Sequence, residues 1–443
     1  MFNCLIDVKN PYLMGSLLKI NFFKSEFTKN SFTLILGTVL AQLIPFILQL
    51  FLRRMYTPED FGVFSIYFSL LSVLVIMASL RYESTIVLPK NDVESVNVLA
   101  LSVFLSVSFS FFLFLITLFF KEKICDLLNF PLSASNYLYL LPLSSLFFSL
   151  YQIINFWLIR KKMFVSSSIN KITRRFFEGA TQITFGLSTK SSGLIMGDLI
   201  GNFANFFSGC LQLKRSDFNL KWVSKSKMFF VLKKYRDFPI YNLVPTLLCS
   251  IANIIPYLLI NKFYSTQQLG FIDLTKMVLS IPLALISVTI SQVLFQQITS
   301  KINNRESLKR ELLNIFYFIA LIGIVEIIVV LSFAPELFAL VFGDDYKLSG
   351  EISQILVFSF VFNFLTSSFS SVFIAMQKIR LYSFWQVSYF IVMCFLYFFE
   401  NKSFNYFISL FVLFEVVMSL LYSILLIMIV INYENNLLYD KKI

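Results

Sequence analysis

The sequence contains no histidine. That absence removes the usual proton shuttle near neutral pH and the commonest nitrogen ligand for a transition metal. Cysteine is scarce: Cys4, Cys125, Cys210, Cys249 and Cys394 stand isolated along 443 residues. With no C-x-x-C pair among them, neither a metal site nor a disulfide framework is expected. No Gly-Lys dipeptide occurs, which excludes the phosphate-binding loop of common ATP-hydrolysing machinery. No stretch reads as a cleavable signal peptide with a short apolar core and a small-residue cleavage site. Charge is thin too, at 14% of residues against about 25% in a soluble domain. No cofactor is expected.

What is present is apolar. Hydrophobic residues make up 57% of the chain and the mean hydropathy is +0.77, the composition of a polytopic membrane protein. A bilayer-spanning helix needs about 20 apolar residues, and segments near that length lie at roughly 31–53, 62–80, 95–120, 136–159, 168–188, 193–213, 238–260, 270–295, 312–333, 352–376, 382–399 and 404–431. The expected fold is therefore all-α, with about twelve transmembrane helices.

The net charge of +12 does not point to nucleic acid, because Lys and Arg sit in short loops between apolar segments. With the N-terminus inside, the loops assigned to the cytoplasm hold 28 of the 37 basic residues. That bias predicts both termini in the cytoplasm. The longest loop, 214–236, carries eight basic residues against one acid and divides the chain. The expected units are a cytoplasmic tail over 1–30, a six-helix bundle over 31–213, the basic linker 214–236, a second bundle over 237–431, and a cytoplasmic tail over 432–443. The plain reading of the linker charge is a topogenic, lipid-facing patch.

The two bundles repeat one another. Tyr56-Thr57-Pro58-Glu59-Asp60-Phe61-Gly62 returns as Tyr264-Ser265-Thr266-Gln267-Gln268-Leu269-Gly270, with Tyr and Gly at the same separation. Two six-helix halves in the same sense make a parallel repeat, which places a transport site between the halves. Polar stripes support a hydrated cavity. Ser31, Thr38, Gln42, Gln49 and Arg53 share one face of the first helix, and Ser65, Ser69, Ser72, Ser79 and Glu83 one face of the second. Asn242, Thr246, Asn253 and Tyr257 do so on the seventh, and Asp273, Lys276, Ser280, Ser287 and Ser291 on the eighth. Close helix packing is the alternative use of such small polar residues.

Charges within spans are Glu178, Asp198, Asp273, Lys276, Glu326 and Glu415; such charges usually face a bundle interior or water. Asp273 and Lys276, at i and i+3, can pair with one another. Pro239, Pro245, Pro256 and Pro282 permit bends in helices seven and eight.

Several runs resemble bacterial polysaccharide repeat-unit flippases of the Wzx type, within the multidrug/oligosaccharidyl-lipid/polysaccharide (MOP) exporter superfamily. They are Gly37 through Pro45, Tyr56 through Gly62, Leu80 through Pro89, Phe238-Pro239-Ile240-Tyr241, and the run from Phe263 through Gly270 to Ile290-Ser291-Gln292-Val293. The resemblance implies two MATE-like six-helix bundles in the bacterial inner membrane and alternating access. It implies a substrate of undecaprenyl-diphosphate-linked oligosaccharide, as for O-antigen or a related surface polysaccharide, and an H+ or Na+ gradient as driving force. A polysaccharide polymerase and a chain-length regulator are further expected partners. Cations must meet the diphosphate, and hydroxyl and amide groups the sugars, since unpaired polar groups are costly in hydrocarbon. Lys276, Arg53, Arg81, Gln42, Gln49, Asn253, Ser280 and Ser287 are the expected substrate contacts. Asp273, Asp198, Glu326 and Glu415 are the expected ion-coupling groups. An ion-coupled exporter of small molecules and an integral-membrane polysaccharide polymerase are the alternative functions.

Overall fold

The computed structural model describes residues 44–440 apart from 189–190, 237 and 377. Among them the chain is helical throughout. The first helix, α1, is described over 44–55; Ser31, Thr38 and Gln42 lie outside the described residues. There follow α2 (Pro58–Ala78), α3 (Asp92–Leu128), α4 (Leu141–Arg160), α5 (Phe164–Leu187) and α6 (Gly193–Leu213). A linker helix, Lys225–Lys234, leads to α7 (Val244–Phe263), α8 (Thr266–Asn303), α9 (Lys309–Phe342), α10 (Lys347–Ser367), α11 (Ile379–Cys394) and α12 (Phe404–Asp440).

The repeated motif is a helix start. Thr57 caps α2: its Oγ1 accepts from the Asp60 N–H at 3.2 Å, while Asp60 Oδ2 accepts from the Thr57 N–H at 3.0 Å. Ser265 caps α8 in the same way, accepting from the Gln268 N–H at 3.1 Å. Each cap satisfies donors that a helix N-terminus otherwise leaves open, worth about 1 kcal/mol. Ahead of α7 the chain opens into one wide π-turn over Pro239–Leu243. Pro245 has no N–H to give to the preceding turn, so the regular ladder is broken there. Pro256 and Pro282 sit inside α7 and α8.

Ten helical stretches among the described residues are long and apolar enough to cross a membrane. Of the twelve segments expected, α1 is described only over its second part, and α5 is too polar to qualify. The reason is a correction to the charge map. Lys171, Arg174 and Arg175, counted above among the cytoplasmic basic residues, lie within the helix Phe164–Leu187. At the other extreme, α9 has a mean hydropathy of 2.7 with only 17% of its span buried. It turns Leu321, Ile324, Val325 and Ile328 outward, an apolar face suited to lipid. The largest apolar core crosses the seam between the halves: Ile66, Tyr67 and Leu71 of α2 pack in one cluster with Leu269, Ile272 and Leu274 of α8.

Candidate functional site

At the end of the bundle where α2 and α8 begin, the two copies of the motif meet. A Cβ on Gly62 would lie 1.9 Å from the Thr266 carbonyl oxygen, and one on Gly270 would lie 1.7 Å from the Pro58 oxygen. Pro58 and Thr266 occupy equivalent places in the repeat, so the contact is reciprocal, as across a two-fold axis. Glycine is required there because no larger residue admits such an approach of two backbones. Asn261, fully buried at the end of α7, adds to the closure. Its Nδ2 donates to the carbonyls of Leu128 at 2.8 Å and Asn129 at 2.9 Å, where α3 ends.

Arg53 locks this end. Its side chain has no solvent exposure, and Nη2 lies 2.5 Å from Asp273 Oδ2 in the other half. Nη1 donates to the Gly270 carbonyl at 3.3 Å, Nε donates to Gln49 Oε1 at 2.9 Å, and the guanidinium stands 3.4 Å over the Phe61 ring. Every face of the cation is occupied. Arg53 and Gln49, expected to meet substrate, are thus committed to holding the halves together in this conformation. The expected Asp273–Lys276 pair does not form; Asp273 turns to Arg53, which brings a fork of donors and the shelter of an aromatic ring.

Lys276 goes elsewhere. About 15 Å along α8 at 1.5 Å per residue, its ammonium lies 4.1 Å from the centre of the Tyr257 ring on α7. Both line a cavity of about 300 Å³ walled by α7, α8, α10 and α12. Asn253, Ser280, Ser287, Asn363 and Glu415 are among its other polar groups, beside Phe360, Phe364 and Phe411. Glu415 Oε1 accepts from the Tyr389 hydroxyl at 2.6 Å. Ser287 shares a 2.8 Å hydrogen bond with Ser367 of α10, so it both packs helices and faces the cavity. One cation, one carboxylate, amides, hydroxyls and ring faces make a surface able to hold a polar, hydroxyl-rich group that carries negative charge. Among the described residues the cavity lining comes from the second half, whereas the duplication led to an expected site between the halves.

The first half carries ions that are already paired: Arg174 Nη2 lies 3.0 Å from Asp198 Oδ1, and Arg175 Nη1 lies 2.9 Å from Glu178 Oε2. Asn202 Nδ2 donates to the second Asp198 oxygen at 2.9 Å. The signal for this cluster was in the sequence, in Gly193, Gly197 and Gly201. Spaced by four, these small residues let α5 press against α6; a Cβ on Gly197 would meet Gln182 Cγ at 2.4 Å. The remaining expected residues are dispersed. Arg81, at the far end of α2, has a left-handed backbone (φ 65°), donates to Asn242 Oδ1 at 3.2 Å and lies 3.4 Å from Glu83. Glu326 sits on α9 and is not among the residues that line the cavity, and its Oε2 has no hydrogen-bond partner among the described residues. Among the described residues no group of three or more His, Cys, Asp or Glu side chains is placed to hold a metal ion.

Comparison with solved structures gives this architecture a relation. An inward closed lipid II flippase MurJ is similar over 92% of this chain and 90% of its own, with TM-score 0.68 and 16% identity. An inward-facing multidrug resistance MATE family transporter of the MOP superfamily aligns over 89% and 96%, with TM-score 0.66 and 13% identity. An outward-facing MATE family transporter aligns over 91% and 96%, with TM-score 0.55 and 13% identity. At such identities the likeness is one of fold. No curated protein matches the chain in sequence. The family described as polysaccharide biosynthesis protein matches residues 51–351. With that match spanning well over half its length, the chain belongs to the polysaccharide biosynthesis protein family.

Proposed function

We propose that the protein is a Wzx-type flippase, which carries undecaprenyl-diphosphate-linked oligosaccharide, the repeat unit of O-antigen or a related surface polysaccharide, across the bacterial inner membrane by alternating access. The observation that carries the reading is Lys276: a cation open to a cavity of amides, hydroxyls and aromatic faces, within a helix that crosses the membrane. A diphosphate needs such a cation, and sugars need such partners, because neither enters hydrocarbon unassisted. The charge bias puts the linker in the cytoplasm and the Gly62–Gly270 crossing outside. In that orientation the conformation described is sealed outward, and the Arg53–Asp273 pair must open for substrate to leave. Glu415, beside Lys276 in the cavity, is the group through which an H+ or Na+ gradient would act.

Deleting the gene should abolish surface glycan and leave lipid-linked repeat units on the cytoplasmic leaflet. Complementation with Lys276→Arg should restore part of the surface glycan, and Lys276→Ala should restore none at wild-type protein level. Unchanged surface glycan in a deletion strain without a second flippase would overturn the assignment. Repeat units accumulating singly on the outer leaflet would favour a polymerase. The Glu415 carboxylate also suits a second reading, an ion-coupled exporter of small cationic molecules. That reading gains if the deletion strain keeps its glycan and becomes drug-sensitive.

A further inference from the structure

The linker between the halves is a built surface. Its inner side is docked on the first two turns of α3. Tyr82 donates to the Leu232 carbonyl at 2.9 Å, Asn97 Nδ2 to the Trp222 carbonyl at 2.9 Å, and the Ser224 N–H to Asn97 Oδ1 at 2.9 Å. Lys234 and the Tyr235 hydroxyl both reach Glu94 Oε1, at 2.5 and 2.8 Å. Glu94 holds the Lys234 ammonium above its ordinary range through that hydrogen bond. Val231, Met228 and Leu232 complete the docked face by packing with Val96, Val98 and Leu101. The segment is therefore held against the start of α3, a helix long and apolar enough to cross a membrane.

The outer side is left open, and its composition is particular. Phe229 is 57% exposed, Phe230 58% and Leu220 73%. Lys221, Lys225, Lys227 and Lys233 stand exposed around them, and the Lys233 ammonium lies 4.6 Å over the Phe229 ring. A patch needed only for topology requires charge and has no use for exposed aromatic rings. A patch facing water gains nothing from them either. Aromatics flanked by lysines beside the end of such a helix suit an interface that is apolar below and anionic above.

We propose that residues 220–235 form a lipid-docking element, with Phe229, Phe230 and Leu220 seated in the bilayer interface and the surrounding lysines binding anionic phospholipid headgroups. The linker helix ends at Lys234, and four residues separate it from the wide turn Pro239–Leu243. An anchored linker stays with the first half, and α7 becomes the side that moves.

The test uses the purified full-length chain in nanodiscs, with a fluorophore on Ser226→Cys and spin-labelled lipid as quencher. Both leaflets then have one composition, so the result depends neither on orientation nor on the transported substrate. Spin-labelled phosphatidylglycerol should quench at roughly tenfold lower mole fraction than spin-labelled phosphatidylcholine, given several basic residues near the surface. Added salt should narrow that gap. Lys225→Gln, Lys227→Gln and Lys233→Gln combined should abolish the preference. Because those changes alter charges that guide insertion, Phe229→Ser with Phe230→Ser is the second variant. It keeps every cation and should weaken quenching by both lipids. Equal quenching by the two lipids, or a serine variant indistinguishable from wild type, would overturn the proposal. So would an absence of quenching by either lipid.

Discussion

Arg53 and Asp273 are 220 residues apart in the chain and 2.5 Å apart in space. Their pairing joins the first helix of one half to the eighth of the other, directly behind the crossing of Gly62 and Gly270. Asp273 is therefore a partner in closure, and the nearer Lys276 is left free to face the cavity.

This assignment fixes which residues are energetically coupled. Asp273→Asn should lower stability by on the order of 2 kcal/mol, because it leaves a buried guanidinium short of its counter-charge. In a double-mutant cycle read by thermal unfolding in detergent, Arg53 and Asp273 should couple by at least about 1 kcal/mol. Asp273 and Lys276 should couple by close to zero. A large Asp273–Lys276 coupling energy would contradict the arrangement described.

The glycine crossing is equally exposed to test. Gly62→Ala and Gly270→Ala force a methyl into a carbonyl oxygen and should each destabilise by about 2 kcal/mol or more. Gly209→Ala, whose Cβ would meet Ile154 Cγ2 at 3.3 Å, should have a much smaller effect. Wild-type unfolding midpoints for both Gly62→Ala and Gly270→Ala would mean that the helices do not cross so closely.

Asp198 offers a choice between a structural and an ion-coupling role. It has no exposure and bonds Arg174 and Asn202. A structural ion predicts that Asp198→Asn lowers protein abundance, at a cost of about 3 kcal/mol for the stranded arginine. The double change Arg174→Met with Asp198→Leu should recover abundance. Normal abundance of Asp198→Asn together with altered Na+ or pH dependence of export would assign it to coupling instead.

Much of the architecture was legible in one dimension. Apolar length marked the helices, because a bilayer demands that backbone groups be satisfied within each span. The repeat marked two equivalent helix starts, since a Thr or Ser cap acts on amides only two or three residues away. Polarity blurred that signal in α5, where Lys171, Arg174 and Arg175 counted toward the cytoplasmic charge although they lie in helix.

Periodicity also placed Asp273, Lys276, Ser280 and Ser287 on one face of α8. Which neighbour each of them meets was decided only by the tertiary structure. Spacing along a helix sets the direction in which a side chain points, but a partner is chosen among all groups that packing brings to that direction. Asp273 had Lys276 three residues away and took Arg53 from the other half. Lys276 came to rest on Tyr257, in a cavity whose described lining belongs to the second half. Composition and local order thus determined that this is a duplicated helical membrane protein. The division of its charged residues into a lock, a closed cluster and a cavity depended on contacts between helices far apart in the chain.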